Sequence, residues 1–162
     1  MSAVLFWAPP LYATEAIIVA IPDVGFSDSS GEPTDQNTQH AERLSIVAAE
    51  LRSNIQRREL VSSAAISCSA LPCAATQLEI DLLREKARAG GASVIVLASV
   101  HKMSTLVLAM KVDAFEVASG RVVTSKLLSF RGDNDEGWRR AARFVARDVT
   151  DEILASSGSV AK

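Results

Sequence analysis

Three runs rich in β-branched and apolar residues stand close together at 93–100, 105–113 and 122–130, separated by short polar breaks. This spacing predicts a β-meander. The first run, Ser93-Val-Ile-Val-Leu-Ala-Ser-Val100, is apolar almost without interruption, which is how a strand reads when both faces are covered. It is expected at the centre of a sheet. The second run alternates from Met110 onward, with Val112 and Ala114 toward one side and Lys111 and Asp113 toward the other, as when one strand face meets water. Ala118-Ser119-Gly120 then supplies a hairpin turn, Gly120 giving the positive φ that a tight reversal requires.

Upstream, the apolar run 16–22 ends in Pro22 and reads as a first strand, and 23–37, with Gly25, Gly31, Pro33 and several Ser and Asp, reads as a loop. From about 38 to 58, Ala41, Leu44, Val47, Ala48, Leu51 and Ile55 form a helical stripe, with Glu50, Arg52, Arg57 and Arg58 off it. A short strand is expected at 60–63. A second helix over 77–89 is bracketed by the Thr76-Gln-Leu-Glu79 capping box and by Gly90-Gly91 as its left-handed stop. The last helix is expected from Asn134 to about Leu154. It has Asp133, Asp135 and Glu136 where the helix dipole favours acids, and Trp138, Ala141, Ala142, Val145 and Val149 on one face. The order is β-α-β-α-β-β-β-α. That order predicts one α/β domain over 15–155, a mixed sheet in a two-layer or three-layer arrangement, and at least one right-handed parallel crossover. Residues 156–162 read as a flexible tail.

Composition narrows the function more than the fold. At 162 residues the chain can bury a core without staples, and 17 basic against 19 acidic residues give a net charge of −2. No strong field draws it to nucleic acid or an anionic membrane. Residues 1–14 form a separate apolar leader: Ala3-Val-Leu-Phe-Trp-Ala8 followed by Pro9-Pro10 resembles the back half of a secretory signal, without a basic residue before Arg43. The alternative is an apolar N-terminus on a cytosolic protein. Either way the run is shorter than the ~20 residues that cross a bilayer. Cys68 and Cys73, four residues apart, could form a local disulfide worth ~2 kcal/mol in an exported protein, or remain two unpaired thiols. Two cysteines and two histidines make a poor zinc set, and the spacing is not that of a C-x-x-C redox pair.

Candidate chemistry is sparse. His40, at the start of the first helix, is expected on its polar, solvent-facing side. His101 lies in the turn His101-Lys-Met-Ser104, where Lys102 and Ser104 lack the Gly-x-Ser-x-Gly or Ser-x-x-Lys spacing of a nucleophile and its base. Asp133-Asn-Asp135-Glu136-Gly137 resembles the opening of a calcium loop, but puts Gly at the fifth position, where a ligand belongs. Helix-starting acids explain it better. The tripeptide Arg131-Gly-Asp133 reads as chance, and Gly90-Gly91 follows a helix where a phosphate-binding loop must precede one. Trp138 is expected in the core rather than as a partner anchor. No catalytic residue, metal ligand set or cofactor is assigned.

The segments Ala89-Gly-Gly-Ala-Ser-Val-Ile-Val-Leu97, Val100-His-Lys-Met-Ser-Thr-Leu-Val-Leu108, Ser119-Gly-Arg-Val-Val123 and Phe130-Arg-Gly-Asp-Asn-Asp-Glu-Gly-Trp-Arg-Arg140 resemble a bacterial family, domain of unknown function 2380, and its sister 3280. The resemblance implies a secreted protein with a fold similar to the TolB amino-terminal domain, in a group containing envelope modules that bind other proteins. It brings no catalytic residues. The expectation is therefore a non-enzymatic periplasmic binding or adaptor domain whose partner is an envelope protein. Its candidate interaction residues are His101, Lys102, Ser104, Arg131, Asp133, Asp135 and Trp138. One alternative is a small-molecule or metal-binding accessory of an exported enzyme system, with Asp133, Asp135 and Glu136 as ligands. A second is a cytosolic hydrolase, which requires reduced cysteines and an uncleaved leader.

Overall fold

The computed structural model describes residues 16–58, 61–66 and 77–158. The expected leader, Cys68 and Cys73, and the Thr76 end of the capping box lie outside the described residues. Among the described residues nine elements follow one another: β1 (Ile17–Pro22), β2 (Gly25–Asp28), α1 (Asn37–Gln56), β3 (Val61–Ile66), α2 (Gln77–Ala89), β4 (Val94–Lys102), β5 (Val107–Glu116), β6 (Val122–Arg131) and α3 (Asp135–Gly158). The strands make one mixed sheet in the order β3-β1-β4-β5-β6. β1 runs parallel to β3 and to the start of β4, so α1 and α2 are parallel crossovers, while β4, β5 and β6 are the antiparallel meander.

The helices make this a three-layer structure. Val94, Val96, Ala98 and Val100 of β4 and Leu108, Met110, Val112 and Ala114 of β5 face α1 and α3, packing on Val47, Leu51, Trp138, Ala142 and Val149. Ile95 and Leu97 face the other way, toward Leu83 and Ala87 of α2. The uninterrupted apolar reading of β4 and the alternation in β5 are thus borne out. Gly120 has φ +75° in the β5–β6 turn, and the Arg84 and Arg88 guanidinium groups of α2 donate to the Val117 carbonyl beside it. That pair of bonds ties α2 to the far end of the meander.

Four expectations are corrected. The stretch 23–37 is not all loop: after a break at Asp23, β2 pairs in parallel with the second half of β4, from Gly25 opposite Ser99 to Asp28 opposite Lys102. Its polar, glycine-containing sequence has weak strand propensity, so a neighbouring backbone makes it a strand. β3 runs to Ile66 and is longer than 60–63, because its pairing with β1 continues to Pro22. α3 continues through Ser156 and Ser157, whose hydroxyls donate to the Ile153 carbonyl within the last turn. His40 is buried, at 3% exposure, and not on a solvent-facing side.

Candidate functional site

The end of the sheet where β2 and β4 stop brings together residues far apart in sequence. Strand alternation carries Lys102 onto the same face as Val96, Ala98 and Val100, so its side chain enters the core at 1% exposure. A buried ammonium must be paired. Its Nζ lies 2.8 Å from Asp133 Oδ2, 2.6 Å from Glu32 Oε2 and 2.9 Å from Gln36 Oε1. Gln36 in turn donates to Glu32 Oε1 at 3.0 Å. The loop between β2 and α1 is therefore folded over the end of β4 and fastened there.

Asp133 is the hub. Oδ2 accepts from Lys102 and from His40 Nε2 at 2.9 Å, and Oδ1 accepts from Arg43 at 2.7 Å and from the Trp138 indole N–H at 3.0 Å. Because this carboxylate only accepts, the His40 proton sits on Nε2. Arg43 also reaches Asp135 at 3.0 Å. Around the ions, His40 stacks over Trp138, Phe26 tilts against both, and Phe130 meets Trp138 edge-on. Asn134 caps α3, its side chain accepting the Gly137 N–H at 2.9 Å, and this fixes the helix start at Asp135, two residues after Asp133.

Gly137 lets the junction close. A Cβ there would stand 2.4 Å from the Gly132 carbonyl oxygen and 3.2 Å from that of Arg131, both backbone atoms. Gly137→Ala is expected to lower stability by about 1–3 kcal/mol despite the better helix propensity of alanine, because the loop carrying Asp133 must shift. Urea unfolding measures the loss.

Burial would raise the Asp133 pKa, but hydrogen bonds from Lys102, His40 and Trp138 outweigh it and bring the group down from 3.8 to about 2. Burial likewise opposes the charge on Lys102, and its bonds to Asp133 and Glu32 prevail, raising its pKa. Lys102 is therefore a cation and no base. For Asp133 the folded value lies below the unfolded one, so its stabilisation is complete above about pH 4 and is lost as pH falls toward 2. About 2 kcal/mol of folding free energy is expected to disappear across that window. Unfolding curves at pH 5, 3 and 2 test this, and Asp133→Asn should flatten the dependence.

Of the seven sequence candidates, the structure brings Lys102, Asp133, Asp135 and Trp138 into one network. His101 lies on the opposite face of β4, between the hydroxyls of Ser27 at 2.8 Å and Ser29 at 3.0 Å. Ser104 accepts the Val107 N–H at 3.1 Å inside the β4–β5 turn, so it is not paired with Lys102. Arg131 is exposed at the end of β6. Asp133, Asp135 and Glu136 do not form a cation cage: the first two are engaged by Arg43, and Glu136 lies 3.9 Å from Arg139. Among the described residues no group of three or more His, Cys, Asp or Glu is placed to hold a metal. Glu32, Gln36, His40 and Arg43 were missed by sequence reasoning. His40 alone carried a signal, since it stands seven residues before Val47 and therefore on the buried stripe. Beside the network lies a cleft of about 270 Å³, lined by Phe26, Asp28, Glu32, Asp35 and His40 among others.

The fold is similar to that of TolB from Acinetobacter baumannii, with a TM-score of 0.53 and 14% identity over 87% of this chain. The chain spans 29% of TolB. It is also similar to PelC from Paraburkholderia phytofirmans, solved as a dodecamer, with a TM-score of 0.52 and 13% identity over 90% of this chain and 93% of PelC. At such identities the likeness shows the fold alone. No curated protein matches the sequence. No helix among the described residues is long and apolar enough to cross a membrane. The model of the family described as Protein of unknown function (DUF2380) matches residues 18–149, and the chain belongs to that family.

Proposed function

We propose that this chain is a non-enzymatic binding or adaptor module of the bacterial cell envelope, located in the periplasm and acting through protein–protein contacts. The observation that carries the reading is the saturation of the polar cluster. Asp133 takes four donors, Lys102 is committed to three acceptors, and Arg43 is bonded through Nε to Asp135 and through Nη1 to Asp133. A general acid, base or nucleophile needs a free valence directed at a substrate, and these groups spend theirs on one another. What the cluster does instead is join α1, the β2–α1 loop, β4 and α3 into a rigid end of the domain.

The similarity to TolB and to PelC, solved as a dodecamer, supports the same direction by fold analogy. The test is expression of the tagged full chain in a bacterial host, with osmotic-shock fractionation and in-cell cross-linking. Release with the periplasmic fraction and a discrete cross-linked envelope protein are expected. Purified chain that turns over an ester or amide substrate, with the activity lost in a folded His101→Ala variant, would overturn the proposal. His101 is the residue to probe because it is the imidazole held against two hydroxyls at the surface.

A further inference from the structure

We propose that β6 is a self-pairing edge: two copies of this chain join through antiparallel β6 strands, with Leu127 of each copy on the two-fold axis. This is independent of the adaptor reading, since it concerns only the chain's contact with itself. Among the described residues β6 ends the sheet on one side, ten residues long, with β5 alone beside it. Such an edge leaves a row of unpaired N–H and C=O groups, which proteins normally blunt with proline, bulges or outward charge.

The direction of those groups follows from the β5–β6 ladder. Gly132 N–H donates to the Leu106 carbonyl, and the register continues through Leu108 opposite Phe130, Met110 opposite Leu128 and Val112 opposite Lys126. Antiparallel ladders alternate bonded and non-bonded pairs. The backbone groups of Lys126, Leu128 and Phe130 therefore point into the sheet, and those of Ser125, Leu127 and Ser129 point out of it. Between Thr124 and Phe130 there is no proline, glycine or bulge, and none of the three outward residues is charged.

The side chains select both the occupant and the register. Leu127 is 73% exposed in the middle of the edge, flanked by two small exposed serines. Pairing Leu127 with Leu127 of the second copy places Ser125 opposite Ser129 on each side, so each outward residue exchanges backbone bonds and the leucines cover one another. A shift of the axis to Lys126 would instead set two lysines against each other, which is unfavourable. In the Leu127 register, Lys126 keeps its bond to Glu152 of its own α3, at 3.2 Å.

Light scattering and sedimentation on the full chain over a concentration series test the proposal. A mass moving from one copy to two is expected. Ser129→Pro removes an outward N–H without touching the β5 ladder, and Leu127→Lys puts like charges on the axis. Each should raise the dimer dissociation constant at least ~10-fold with an unchanged circular dichroism spectrum. Leu127→Cys should give a disulfide-linked dimer on mild oxidation, beyond any band shown by the parent chain, and lose it when Ser129→Pro is added. A single-copy mass at all concentrations, even with β6-dependent capture of another protein, overturns self-pairing, as does a dimer that survives both edge substitutions in folded protein.

Discussion

Asp133→Ala is expected to remove about 3–5 kcal/mol of folding stability, a large part of the ~5–15 kcal/mol that a domain of this size possesses. The loss does not come from the ion pairs having been worth that much. A buried ion pair gains little over well-packed apolar groups, but deleting one partner leaves the other charged and without water. Here the deletion strands the Lys102 ammonium at 1% exposure with Glu32 as its remaining carboxylate, and takes an acceptor from Arg43, His40 and Trp138. Asp133→Asn is the sharper test. An amide has one accepting oxygen and one donating nitrogen, while Asp133 is approached by two donors at each oxygen. Whichever way the amide turns, its N–H₂ faces two other donors. Asparagine should therefore rescue little of the alanine loss in urea unfolding, and recovery of most of it would mean that shape, not the four-donor geometry, is what the site requires.

The same residues show how much of this molecule is legible in its sequence. The meander is, because β-branched runs alternate with the sheet period and the turn has its glycine. Trp138 is too, since the α3 stripe placed it in the core, where it is fully buried. Lys102 could have been read further: two residues beyond Val100 on the same strand, alternation alone directs it inward, and a lysine at a core-facing position demands partners. Those partners were not legible. Glu32 and Gln36 lie in a polar loop with no periodicity, and the parallel pairing of β2 with β4 that delivers the loop depends on a backbone more than seventy residues away. Asp133 is legible as a helix-starting acid and a candidate interaction residue, but not as the partner of a buried lysine. Its chemistry arises because β6 ends at the same end of the sheet as β4, with β5 between them, an event of topology rather than local pattern.

Trp138→Ala should cost about 3–5 kcal/mol, and the comparison with Trp138→Phe separates two contributions. Alanine empties the volume between Phe26, His40 and Phe130 and also deletes the indole donor to Asp133. Phenylalanine keeps most of the aromatic contact and loses the donor together with the second ring. Since Asp133 retains Lys102, His40 and Arg43, a lost N–H should cost about 1–2 kcal/mol. The expected order in urea unfolding is parent, then Phe, then Ala, with the larger step between Phe and Ala. If Phe falls as far as Ala, the tryptophan serves Asp133 more than the core. The expected order instead makes it the apolar wall against which the charged cluster is shut off from water, so that its packing strengthens every ion pair behind it.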